Sequence, residues 1–172
     1  MGKSFIQRIV EVSRLPEFSG KVIFLENYDM EIGRMLVSGC DVWLNNPRRP
    51  MEASGTSGQK VGVHGGLNLS ILDGWWPEGY AGSNGWVIDA GSRTEILQPE
   101  MQDGADAAEL YRTLEQEVIP TFYDRSQNGI PIGWIGMIRS ALQSLPAQFS
   151  ALRMVDQYIM QSYSGLEVES SR

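Results

Sequence analysis

The chain has 172 residues, 42% hydrophobic and 20% charged, with a net charge of −7, one histidine and one cysteine. This suits one folded domain with its own core. The acidic balance, with no basic run beyond Arg48–Arg49, argues against electrostatic binding to nucleic acid or an anionic membrane; the lone Cys40 excludes an internal disulfide, and no apolar stretch reaches a membrane span.

The opening MGKSFIQRIVEVSR lacks a signal-peptide pattern, because charges interrupt its apolar residues. A cytoplasmic location is the expectation. Phe5, Ile6, Ile9 and Val10 recur at helical spacing, and Pro16 stops that helix. KVIFL (Lys21–Leu25) reads as a buried strand, since its apolar residues are contiguous. Asp29 is placed to cap a helix over Met30–Val37 that ends near Gly39. DVWL (Asp41–Leu44) is a second buried strand, and the prolines bracketing Asn45–Pro50 make that stretch a loop. A helix begins within Gly55–Gly58, and GLNLSIL supplies a third strand. Asp73–Gly85 is an aromatic, glycine-rich loop, and WVI (Trp86–Ile88) is short for any assignment. From Gly104 to Arg125 the pattern is helical with Pro120 interrupting it; Met137–Leu145 and Ser150–Tyr163 follow as helices, Ser150 as N-cap, and EVESSR is a frayed tail.

Strands and helices alternating at short spacing predict an α/β fold with a parallel sheet, followed by C-terminal helices. The division expected is residues 1–103 for the sheet and site and 104–172 for the helical region. Ligands of open α/β sheets bind at the carboxyl ends of strands. The polar breaks Glu26–Asp29, Asn45–Pro50 and Asp73–Gly85 would then share one rim.

EASGTSGQK (Glu52–Lys60) lies on that rim and ends in one of only three lysines, beside Lys3 and Lys21. Glycines let the backbone approach a ligand, hydroxyls add donors, and helix-start amides favour anions. The segment matches neither the Walker loop nor the dinucleotide fingerprint, and a structural turn remains the plain alternative to an anion seat. Lys60 lies one helical turn beyond Thr56 on the same face. It is either a solvated lysine or an amine beside a phosphate cradle, the arrangement a pyridoxal phosphate enzyme needs. Glu52 is a surface carboxylate or a partner for a sugar hydroxyl. His64, the single histidine, excludes a histidine metal cluster and reads as a satisfied helix residue. Trp75, Trp76, Tyr80 and Trp86 are packing residues or a sugar platform.

KVIFLENYD, CDVWLNNPRRPMEASGTSGQK and GGLNLSILDGWWPEGYAGSNGW resemble the α-glucan phosphorylases, and NNPRRP and LDGWWPEGY resemble their shorter, mainly prokaryotic branch. LYRTLEQEVIPTFYDR, GWIGMIRSAL and QFSALRMVDQYI continue the resemblance toward the end of those enzymes, from about Gly2 to Tyr163. The resemblance implies part of one Rossmann-like lobe of a two-lobed (GT-B type) glycosyltransferase. It also implies reversible phosphorolysis of α-1,4-glucan to glucose 1-phosphate, with pyridoxal 5'-phosphate as cofactor. Lys60 would then hold the cofactor as a Schiff base, Thr56 and Ser57 would bind its phosphate, and Tyr28 would lie near it. Glu52, Ser54 and Gly55 would hold the glucosyl unit. The partners implied are the glucan, inorganic phosphate and glucose 1-phosphate, with the N-terminal lobe or a second copy as a further partner.

The sequence departs from the family pattern at several places. Gln59 stands where an apolar residue is common, His64 where asparagine is usual, Gly62 is additional, and Asp29 replaces a basic residue of the longer animal enzymes. The N-terminal lobe and the lysine- and arginine-bearing motif of the C-terminal lobe are not in the sequence, which reads as the terminal part of a phosphorylase without turnover of its own. Two other readings stand beside it: a binding module retaining the fold, and a fragment of a glycogen-synthase-type glycosyltransferase, a class without the Schiff-base lysine.

Overall fold

The computed structural model describes residues 2–49, 55–89 and 99–163. The chain forms two compact units, Met1–Met35 and Leu36–Arg172. In the first, the helically spaced apolar residues form α1 (Gly2–Ser13), which ends just before Pro16. Phe5, Ile6, Ile9 and Val12 of α1 are exposed.

Lys21–Leu25 is not a strand. Residues 14–22 run through turns, with Ser19 N donating to Leu15 O at 2.9 Å and Val22 N to Phe18 O at 3.0 Å. Ile23 is 70% exposed. A contiguous apolar run becomes a parallel strand only when a neighbour supplies hydrogen bonds and both faces are covered. The first unit offers no strand among its described residues, so KVIFL stays irregular and Glu26–Asp29 follows no strand end. The Asp29 cap forms as expected: its Oδ1 accepts from Ile32 N at 2.8 Å and starts α2 (Met30–Gly39).

The second unit carries the sheet. β1 (Val42–Asn45), β2 (Leu67–Ile71) and β3 (Gly85–Ile88) run parallel in the order β1-β2-β3. Val42 pairs with Leu67, and Asn68 with Gly85. All five residues of β2 are buried, because it lies between two strands with both faces covered. WVI becomes a strand for the same reason: β2 supplies its partners. The strands are joined by α3 (Ser57–Val63) and by the loop holding α4 (Trp76–Gly79).

Four further helices follow: α5 (Pro99–Thr113), α6 (Ile119–Tyr123), α7 (Ile132–Gln148) and α8 (Ala151–Tyr158). α5 starts at Pro99, ahead of the expected Gly104, since proline suits a first helical turn. Pro120 does not interrupt the helix. Leu114–Val118 widens into a π turn that leads directly into α6. The longer i→i+5 spacing accommodates a ring that would strike the i−4 carbonyl of a regular helix. α7 extends the expected Met137–Leu145 segment at both ends. Ser150 caps α8 by accepting from Arg153 N at 3.2 Å, and a second π turn, Ile159–Tyr163, follows.

The core joins Leu67, Leu69 and Ile71 of β2 and Trp86 and Ile88 of β3 to Val118, Trp134, Ala141 and Leu145. Trp134 stacks edge-on against Phe122, with centroids 4.9 Å apart, and tilts against Trp86 at 5.5 Å. Among the described residues, no helix is long and apolar enough to cross a membrane.

Candidate functional site

β1 and β2 are adjacent and parallel, so the loops after them open on one end of the sheet. The loop after β1 leads into α3, and the loop after β2 carries Asp73–Trp75. This pair of loops realises two of the three expected rim segments. The third, Glu26–Asp29, belongs to the other unit.

Within the β1–α3 connection, Thr56 is the N-cap of α3 and Ser57 its first residue. The Thr56 side chain makes no capping hydrogen bond, which leaves its hydroxyl available to a ligand. The Thr56 carbonyl instead accepts from Gln59 N at 3.2 Å and Lys60 N at 3.4 Å. Thr56 and Lys60 are thus one turn apart on one face, as the spacing predicts. Both are exposed, and Lys60 has no ion-pair partner among the described residues. Among the described residues, a Cβ at Gly55 would meet only the Ser57 hydroxyl, at 4.0 Å. Hydroxyl donors and a free ammonium on one face can hold a phosphate group and place an amine beside it.

Two side chains from behind hold this segment. Trp75 Nε1 donates to the Gly55 carbonyl at 3.1 Å, and Asn68 Nδ2 donates to the Gly58 carbonyl at 3.0 Å. Asn68 is fully buried, and its Oδ1 lies unpartnered against the Cα of Gly58. A Cβ on Gly58 would collide with that oxygen and come 2.8 Å from the Trp75 ring. The motif pattern does not single out Asn68. The signal that could have found it is its place as a polar residue inside an otherwise apolar buried strand.

The aromatic loop packs rather than presenting a sugar platform. Trp75, Trp76 and Trp86 are buried. Trp75 meets Trp76 and Phe149 edge-on at 5.0 and 5.1 Å, and Trp76 Nε1 donates to the Trp86 carbonyl. Tyr80 is half-buried, and desolvation, helped by the Glu117 charge, raises its pKa. His64 is exposed and forms the C-cap of α3, followed by Gly65 at φ +85°.

Beyond β1, Arg48 and Arg49 turn toward one face of α5. Arg48 Nε donates to Asp103 Oδ1 at 2.9 Å, with a second, shorter contact from its Nη2 to Asp103 Oδ2. Arg49 Nη2 lies 3.5 Å from Asp106 Oδ1. The hydrogen bond from Arg48 holds the Asp103 carboxyl below its usual range. Arg48, Asp103 and Asp106 line a cleft of about 300 Å³ with Asn46, Leu110 and Tyr111.

Tyr28 belongs to the Met1–Met35 unit, where its hydroxyl lies over Gly33 of α2. Glu52 and Ser54, like the tail, lie outside the described residues.

The fold is α/β, with a three-stranded parallel sheet whose β1–α3 connection presents hydroxyls one turn ahead of Lys60. Comparison with known proteins gives its relatives. The chain is 50% identical over 165 residues to a maltodextrin phosphorylase of Thermococcus litoralis, covering 95% of this chain and 19% of that protein. It is 47% identical over 163 residues to a glycogen phosphorylase of Mycobacterium bovis, and 46% identical over 163 to one of Aquifex aeolicus. These alignments cover 95% of this chain and 19% and 23% of the two relatives. Over 95% of its length, then, the chain is similar to a segment of maltodextrin and glycogen phosphorylases. It spans about a fifth of the length of the relatives it matches. No family model and no solved structure matches it.

Proposed function

We propose that this chain supplies the pyridoxal phosphate and glucosyl site of an α-glucan phosphorylase, an enzyme for reversible phosphorolysis of α-1,4-glucan to glucose 1-phosphate. The observation that carries the reading is Lys60, exposed one turn beyond an uncommitted Thr56 hydroxyl on α3. The residues present fit the cofactor: hydroxyls at Thr56 and Ser57, and an amine without an ion-pair partner among the described residues. Lys60 Nζ would anchor it covalently, Thr56 and Ser57 would donate to its phosphate, and Tyr28 would lie near it. When bound, the cofactor supplies a phosphate group that serves as proton or electrostatic partner to the substrate phosphate.

Glu52, Ser54 and Gly55 would hold the glucosyl unit, Glu52 by accepting two hydroxyl hydrogen bonds. Such charge-assisted bonds contribute on the order of 1.5–3 kcal/mol each. Residues 1–103 would belong to the cofactor and glucosyl region, and 104–172 to the helical part of the same Rossmann-like lobe of a GT-B fold. The partners would be glucan and phosphate, with the rest of a phosphorylase or a second copy completing the enclosure, in the cytoplasm.

Borohydride reduction after incubation with pyridoxal phosphate tests the reading. Label should concentrate on Lys60, and Lys60→Ala should abolish the absorbance band of the bound cofactor. Label spread equally over Lys3, Lys21 and Lys60 would remove the cofactor role and leave a glycogen-synthase-type fragment or a binding module.

A further inference from the structure

We infer that Asn68 and Trp75 are positioning residues for the segment carrying Thr56, Ser57 and Lys60; this rests on the cofactor site proposed above. The two side chains take hold at both ends of one turn. Trp75 fixes the Gly55 carbonyl just before Thr56, and Asn68 fixes the Gly58 carbonyl just after Ser57. Between those anchors lie the two hydroxyls proposed to seat phosphate.

Both anchors are themselves immobilised. Asn68 is fully buried in the central strand, where β1 and β3 hold its backbone on either side. Trp75 is wedged between two glycines: a Cβ on Gly58 would come 2.8 Å from its ring, and one on Gly79 2.6 Å. Trp76 and Phe149 pack against it in T-shaped contacts.

The chemistry of Asn68 points to placement rather than stability. A buried amide with one end unpartnered destabilises a fold, and an apolar residue of that size would not carry the penalty. What the amide provides is a fixed donor to Gly58 and an oxygen pressed against a Cα that tolerates no side chain. A site on a loop is only as well defined as the shell behind it. Here that shell comes from the sheet and its following loop, so the hydroxyls are held by rigid elements although they sit on a connection.

The test uses the intact 172-residue chain with pyridoxal phosphate as probe, and the variants Trp75→Phe and Asn68→Leu. Each removes one hydrogen bond and leaves an apolar side chain of similar size at the position. The dissociation constant for the cofactor should rise about five- to tenfold. Borohydride label on Lys60 should fall while the Leu69 and Ile71 amides stay protected from exchange, a split that general loosening of Leu36–Arg172 would not produce. Wild-type labelling at Lys60 with unchanged affinity in both folded variants would overturn the inference and leave the cofactor site standing.

If the wild-type chain does not label at Lys60, the cofactor reading fails, and amide exchange decides the anchoring by itself. Exchange at Ser57–Lys60 should quicken severalfold in the variants while Leu69 and Ile71 stay protected. Unchanged exchange overturns the inference. If neither variant folds, the wild-type Trp75 indole N–H is the readout. Strong protection supports its bond to Gly55, and exchange at the rate of a free indole refutes it.

Discussion

Gly58→Ala tests the packing behind the site most directly. The added methyl would collide with Asn68 Oδ1 and approach the Trp75 ring to 2.8 Å. Neither neighbour can retreat easily. Asn68 is bound to Gly58 itself and buried in β2, and Trp75 is braced by Gly79, Trp76 and Phe149. Overpacking of this kind costs about 1–3 kcal/mol, and two immobile neighbours place it in the upper half of that range. Alanine returns about 1 kcal/mol through its helix propensity. The net expectation is a loss of about 1–2 kcal/mol, or a melting point lower by roughly 2–8 °C for a chain of this size. All five tryptophans lie in Leu36–Arg172, so their fluorescence during urea or thermal unfolding reports that unit alone. Gly104→Ala is the control. No described residue lies within 4 Å of a Cβ there, and the exchange should stabilise by roughly 0.5–1 kcal/mol. Combining Gly58→Ala with Asn68→Ala should recover stability relative to the sum of the single losses, because the struck oxygen is gone. A Gly58→Ala protein as stable as wild type would refute the close approach on which this reasoning depends.

The Arg48–Asp103 pair should show a defined dependence on pH and salt. Its folded-state carboxyl is depressed, so the stabilisation is present above the ordinary aspartate pKa and is lost as pH falls below it through the folded value. Asp103→Asn should therefore melt earlier than wild type at neutral pH, converge with it in strong acid, and differ less in molar salt; a gap that persists in acid would count against the ion pair. The 172 residues alone should form no glucose 1-phosphate from maltodextrin and phosphate even when saturated with pyridoxal phosphate, because one rim of loops neither clamps a glucan nor excludes water. Turnover near that of a full-length phosphorylase would show that reasoning to be wrong.

Elements specified by neighbouring residues are legible in the sequence itself. The Asp29 and Ser150 caps act within three residues of themselves, and both form. The strands at Val42–Asn45 and Leu67–Ile71 follow from contiguous apolar runs with polar breaks, but only β2 is buried as expected; β1 has a neighbour on one side alone among the described residues, and its Leu44 is exposed. The Thr56–Lys60 face follows from helical periodicity alone, so spacing suffices to place the lysine and hydroxyl together. Glycine and hydroxyl content marks the loop, but it says nothing of what stands behind it.

Strand formation needs a partner, and there local pattern fails in both directions. KVIFL has a more convincing strand sequence than WVI, yet WVI pairs with β2 and KVIFL remains irregular. Pro120 carries a strong local signal to end a helix, and the π turn at Leu114–Val118 accommodates it. The anchoring by Asn68 and Trp75 spans 10 and 20 positions in sequence. It exists only because the parallel crossover returns β2 beneath α3 and brings the following loop up beside Gly55. The identity of the hydroxyls and the lysine is written in nine consecutive residues, Glu52–Lys60; where Gly55, Thr56, Ser57 and Lys60 point is decided by a buried amide and an indole that only the folded sheet brings to them.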